Sequence, residues 1–172
     1  MLLLKLIQQL INALNSDGTP GQVAAGIALG AALGLTPLLN VHNLIIVAVA
    51  VMVNVSMPGV FLGWALFVPF GFALDPVFDR IGQELLLGIA QFQPIWIDAY
   101  NSVAVLTNFN NSVVLGSLVS WLVLAFPIYF AFRIAVARYR TRIYERLKET
   151  KFFQAVRASK VYTVFRLFRP PT

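Results

Sequence analysis

Gln22-Val23-Ala24-Ala25-Gly26-Ile27-Ala28-Leu29-Gly30-Ala31-Ala32-Leu33-Gly34-Leu35-Thr36-Pro37-Leu38-Leu39 is the stretch whose reading decides the fold. It holds no charged side chain over 18 residues, and at about 1.5 Å per residue a helix of that length nearly crosses a hydrocarbon layer of about 30 Å. Gly26, Gly30 and Gly34 recur every fourth residue beside Ala25, Ala28, Ala31 and Ala32, so one face of the helix is almost bare of side chains. A second helix can approach such a face closely, whether it belongs to the same chain or to another copy.

The rest of the chain agrees with a membrane setting. Of 172 residues, 59% are hydrophobic and 12% charged, and the mean hydropathy is +0.78. Soluble domains carry about 25% charge, and a body this small cannot hide so much apolar surface within itself. There is no cysteine and a single histidine, which excludes disulfides, iron–sulfur clusters, thiol catalysis and any metal site needing two histidines. Walker, dinucleotide-binding and zinc patterns are missing too, so no cofactor is expected.

Downstream of the decisive stretch, Thr36-Pro37-Leu38-Leu39-Asn40-Val41-His42-Asn43 predicts a helix break at Pro37. The apolar run Leu44 to Val53 is short, and Asn54, Ser56 and Met57-Pro58-Gly59 interrupt it at Pro58, so it reads as half a hairpin. Val60 to Leu74 is a third uncharged run with Pro69 and Gly71 inside it, ending at Asp75-Pro76-Val77-Phe78-Asp79-Arg80. Irregular backbone at membrane depth is tolerated only against protein or a polar cavity, which favours broken or re-entrant hairpins over residues 20–82. A faint internal echo, an apolar glycine-containing run ended by proline and polar residues, occurs on both sides of Pro58; if the two halves ran in opposite orientations, their broken tips would meet near mid-membrane, the arrangement transporters use for substrate sites.

Gln83 to Ile97 alternates apolar and polar positions and reads as an interfacial amphipathic helix ending near Pro94, anchored by Trp96 and Tyr100, followed by a polar loop to residue 110. Ser112 to Phe132 gives 21 residues without charge, the clearest transmembrane helix, and it runs straight into Arg133. The positive-inside rule puts that end in the cytoplasm. Residues 133–172 read as a basic amphipathic helix in which Arg138, Arg140, Arg142, Arg146, Lys160, Arg166 and Arg169 meet anionic headgroups or an acidic partner, and not nucleic acid. Residues 1–15, with Leu3, Leu6, Ile7, Leu10, Ile11 and Leu14 on one side, read as an interfacial helix at the other end. The expected fold is therefore all-α and polytopic, with broken hairpins, one clear C-terminal span and amphipathic helices at both ends.

Gly30 to Pro37, the apolar run to Asn54, then Pro58-Gly59 and Leu62-Gly63-Trp64, resemble the bacterial family called domain of unknown function 2062. The likeness covers about residues 20–90. Leu39-Asn40-Val41-His42-Asn43 and Leu74-Asp75-Pro76-Val77-Phe78-Asp79 are similar to the versions in a proteobacterial subgroup of small inner-membrane proteins. The resemblance implies a bacterial inner membrane and no particular activity.

The residues that could carry chemistry are few. His42, between Asn40 and Asn43, is either a proton relay or headgroup contact, or a helix-end cap. Asp75 and Asp79 lie four apart beside Arg80, and Asp75-Pro76 reads as the cap of a following helix. No nucleophile or base accompanies them, so an enzyme is not expected. Three roles remain. The first is an integral subunit that docks a membrane partner or a second copy, in a lipid or envelope-related transport context. The second is a small lipid translocator with Asn40, His42, Asn43, Asn54, Asp75, Asp79 and Arg80 lining a polar cleft. The third is a membrane-surface regulator acting through the amphipathic ends.

Overall fold

The computed structural model describes residues 18–143, with side chains up to Thr141. The expected helices at 1–15 and beyond residue 143 lie outside the described residues, as do the side chains of Arg142, Arg146, Lys160, Arg166 and Arg169. Among the described residues all regular structure is helical, in five α-helices. They are α1 (Pro20–Leu35), α2 (Val41–Met52), α3 (Met57–Gln83), α4 (Gln93–Tyr100) and α5 (Ser112–Arg138).

Local chemistry sets the ends of α1. Thr19 and Gln22 form a reciprocal capping box, the Thr19 hydroxyl accepting from the Gln22 amide at 3.2 Å and the Gln22 side-chain oxygen accepting from the Thr19 amide at 2.7 Å. Pro20 occupies the first turn, where its missing N–H costs nothing. At the other end Pro37 forbids continuation and holds Thr36 extended. Helix α1 is the centre of the molecule, with ten of its 16 residues buried.

Its small residues are what allow this. Helix α3 runs parallel to α1 with backbone against backbone: a side chain at Gly26 would meet the Ser56 carbonyl, one at Gly30 the Val60 carbonyl, and one at Gly34 would come within 2.8 Å of the Trp64 carbonyl. The stripe is answered by Gly59, Gly63 and Gly71 of α3, which lie against the carbonyls of Val23, Ile27 and Gly34. The glycine face thus packs inside the chain, as small-residue stripes do between apolar helices. Helix α5 runs antiparallel to both, Trp121 Nε1 donating to the Ala28 carbonyl at 2.8 Å and Arg140 Nη1 to the Gly18 carbonyl at 2.8 Å. Near the far end of α3, Gly116 and Gly82 give the same intimacy between α3 and α5, against Phe78 and Ser112.

Helix α2 folds back along α1 and buries one stripe only, His42, Asn43, Ile46 and Ala50. From Gln83 the chain passes through a wide turn at Glu84–Gly88 and a tight one at Ala90–Phe92 into α4, then through Val103–Thr107 to α5.

Several expectations need correction. Neither Pro69 nor Pro76 ends a segment: α3 continues through both. A proline removes one donor and crowds one carbonyl, and the close contacts with α1 before Pro76 and α5 after it hold the helix on either side. Asp75 is consequently an interior residue of α3 and not a cap. Gln83 to Ile97 is not one amphipathic helix. It is broken after Gly88, and Pro94 opens α4 where it was expected to close a helix. The last long helix extends past Phe132 to Arg138 with Pro127 inside it. Pro37 and Pro58 do mark helix ends. With their flanking turns, Met57–Gly88 (32 residues) and Ser112–Thr141 (30 residues) are long and apolar enough to cross a membrane; α1 and α2 are shorter apolar helices.

Candidate functional site

The turn between α1 and α2 is built from polar side chains. Asn43, buried, donates through Nδ2 to the carbonyls of Pro37 at 2.8 Å and Leu38 at 3.1 Å, and its Oδ1 lies 2.9 Å from the Thr36 hydroxyl. Its amide is fully occupied in holding the turn. Asn40 Nδ2 also donates to the Pro37 carbonyl, at 2.8 Å. The Asn40 Oδ1 accepts from Asn108 Nδ2 at 2.7 Å, joining two loops 68 residues apart in sequence. Asn108 takes a left-handed conformation, φ 56°, which asparagine tolerates better than other non-glycine residues.

Between these loops lies a cleft of about 480 Å³ lined by Pro37, Leu39, Asn40, Asn108, Asn110, Asn111, Val113 and Val114. Its chemistry is that of carboxamides beside aliphatic walls. Asn111 Oδ1 accepts from the amides of Val113 at 3.0 Å and Val114 at 3.2 Å and so caps α5. Next to it Ser112 donates to Asp79 Oδ1, while Asp79 Oδ2 accepts from Gln83 at 2.9 Å.

His42 stands behind the turn rather than on the lining. It is 7% exposed, and neither ring nitrogen has a hydrogen-bond partner, although the Thr107 backbone comes near the ring. A polar group enclosed in this way is destabilising unless something else uses it.

The structure therefore gathers only part of the cluster read from the sequence. Asn40, His42 and Asn43 meet at the α1–α2 turn, and Asp79 reaches the rim through Ser112. Asn54 is at the opposite end of α2, in a left-handed turn where its carbonyl accepts from Gln22 at 3.2 Å. Asp75 is half-buried on α3, and exposed Arg80 makes no ion pair with Asp79 among the described residues. Arg138 and Arg140 sit at the far end of α5 from the cleft. Sequence reasoning overlooked Asn108, Asn110 and Asn111, treating them as plain loop. Their density ahead of a long apolar run was the available signal.

The class defined by this arrangement is a protein whose regular structure, among the described residues, is all helical and includes two helices long and apolar enough to cross a membrane. Within that class the chain belongs to the family described as an uncharacterized protein conserved in bacteria (DUF2062), whose model matches residues 4–145. It is similar to an uncharacterized protein of Treponema pallidum (strain Nichols), 27% identical over 159 residues that cover 90% of this chain and 96% of the relative. No solved structure matches.

Proposed function

We propose that this is a non-enzymatic, multi-pass protein of the bacterial cytoplasmic membrane that handles a lipid or lipid-linked molecule and holds its polar part in the asparagine cleft. The observation that carries the reading is the cleft itself, four amides beside Leu39, Val113 and Val114 at the mouth of α5. An amphiphile needs such a junction of hydrogen-bonding and aliphatic surface. The outward faces support a lipid environment: Leu44 is 72% exposed, Met52 82%, Phe72 76% and Phe126 73%. In water so large an apolar surface would drive association. Positive-inside placement of Arg133, Arg138 and Arg140 sets the cleft on the face away from the cytoplasm.

The docking-subunit reading changes its surface. With the glycine stripe filled by α3, a membrane partner would meet the outer face of α2, where Leu44, Val51 and Met52 project. Native mass spectrometry from mild detergent separates the two readings. A selected lipid on the protein supports lipid handling, whereas a stoichiometric second polypeptide with unselected lipid replaces it with docking.

Orientation is testable because the chain has no cysteine of its own. Asn110→Cys should react with an impermeant maleimide added to intact spheroplasts, and Thr141→Cys only after permeabilisation. The reverse pattern overturns the topology.

A further inference from the structure

We propose that the cleft takes a neutral, hydroxyl-rich head group, a glycerol or sugar moiety, in preference to a phosphate. This deepens the lipid-handling reading and rests on it. The argument comes from which amide atoms remain open. Asn40 has given one amide proton to Pro37 and accepts from Asn108, which leaves it one N–H. Asn108 has spent one of its two amide protons on Asn40 and keeps the other together with its Oδ1; Asn111 has accepted twice from α5 and keeps both protons of its Nδ2. Asn110 makes no hydrogen bond among the described residues and offers both atoms. The lining thus mixes open donors and acceptors in nearly equal number.

A hydroxyl both donates and accepts, so vicinal hydroxyls can satisfy such a mixture, whereas a phosphate dianion only accepts and would face the open oxygens of Asn108 and Asn110 unpaired. Charge points the same way. The lining contains no Lys or Arg, and the nearest charged group tied to it is Asp79, through Ser112 beside Asn111. The amino terminus of α5, which would otherwise draw an anion, is already capped by Asn111. Pro37, Val113 and the 97% exposed Leu39 supply C–H surface of the kind a sugar ring packs on. The volume, about 480 Å³, falls in the roughly 300–1,000 Å³ span of small-molecule sites.

The test uses the full chain in an amine-oxide detergent, which carries neither sugar nor phosphate. The protein is offered equal amounts of a monoglucosyl diacylglycerol and a phosphatidic acid with identical acyl chains, and bound lipid is read by native mass spectrometry. The glucosyl lipid should be retained about tenfold over phosphatidic acid, the effect of one or two ordinary hydrogen bonds. Asn110→Ala should reduce that preference several-fold without changing the melting temperature, since this exposed side chain holds nothing else, while Asn101→Ala, off the lining, should leave it intact. Equal retention, preference for phosphatidic acid, or indifference to Asn110→Ala overturns it. Asn110→Cys labelling reports separately on the topology, so a wrong head-group class is distinguishable from a wrong membrane placement.

Discussion

At His42 a titratable ring is enclosed with both nitrogens unpaired, 7% exposed and one residue from the amide that stitches the turn. If the ring serves only as filling, an aliphatic side chain of similar size does better, because it removes two polar atoms that found no partner. His42→Leu should therefore raise the melting temperature in detergent, by the equivalent of about 1 kcal/mol. A clear fall would show that a nitrogen is bonded in the working protein and restore His42 as a headgroup or proton-handling residue. Asn43 gives the opposite case. Its two amide protons lie on the carbonyls of Pro37 and Leu38, and Asn43→Asp keeps the shape while turning both contacts repulsive. That change should cost about 3 kcal/mol or more in thermal or denaturant unfolding, more than a lost surface bond. The sequence announces a polar break here through Pro37, Asn40, His42 and Asn43. It does not announce which amides are consumed by the turn, because the partner of Asn40 is 68 residues away.

Among the elements, the pairing of α1 with α3 depends on backbone contact, and its glycines should be unequal in a way the geometry orders. Alanine at Gly30 would drive a methyl into the Val60 carbonyl, and at Gly116 into that of Phe78. Backbone cannot yield as a flexible side chain does, so each substitution should destabilise by about 3 kcal/mol, the upper part of the usual overpacking range. Gly21→Ala is the control: a methyl there would lie 3.4 Å from the Tyr129 hydroxyl, an ordinary contact. It should be neutral or slightly stabilising, by at most about 1 kcal/mol, since alanine favours the helix. Gly34 and Gly26 should fall with Gly30. The four-residue spacing of Gly26, Gly30 and Gly34 made this surface legible from sequence alone. The long helix through Pro69 and Pro76 was not, because proline reads locally as a break. What sustains α3 is distant: Gly63 and Gly71 on α1, then Gly82 on α5.

For the whole molecule, these contacts imply an unequal distribution of stability. Helix α1 is enclosed by α3 and α5, and its Val23, Ile27 and Ala31 are 0% exposed. Helix α2 is just as apolar in sequence, yet it touches the rest along one stripe and exposes Leu44, Val51 and Met52. In one detergent both helices meet the same solvent conditions, so a difference in amide exchange between them reports how firmly each is held by the rest of the chain. Amides of Val23 to Ala32 should accordingly exchange at the rate of global unfolding, and those of Leu44 to Val51 faster, through local opening that leaves α1, α3 and α5 assembled. Hydrogen exchange read by mass spectrometry in one detergent checks this directly. Equal protection would mean that α2 is held by something beyond the stripe His42, Asn43, Ile46 and Ala50, and a second copy or membrane partner on its outer face would be the natural source. The Gly30→Ala chain sharpens the comparison, since loosening α1 from α3 should bring the two helices to similar exchange while leaving α2 itself unchanged.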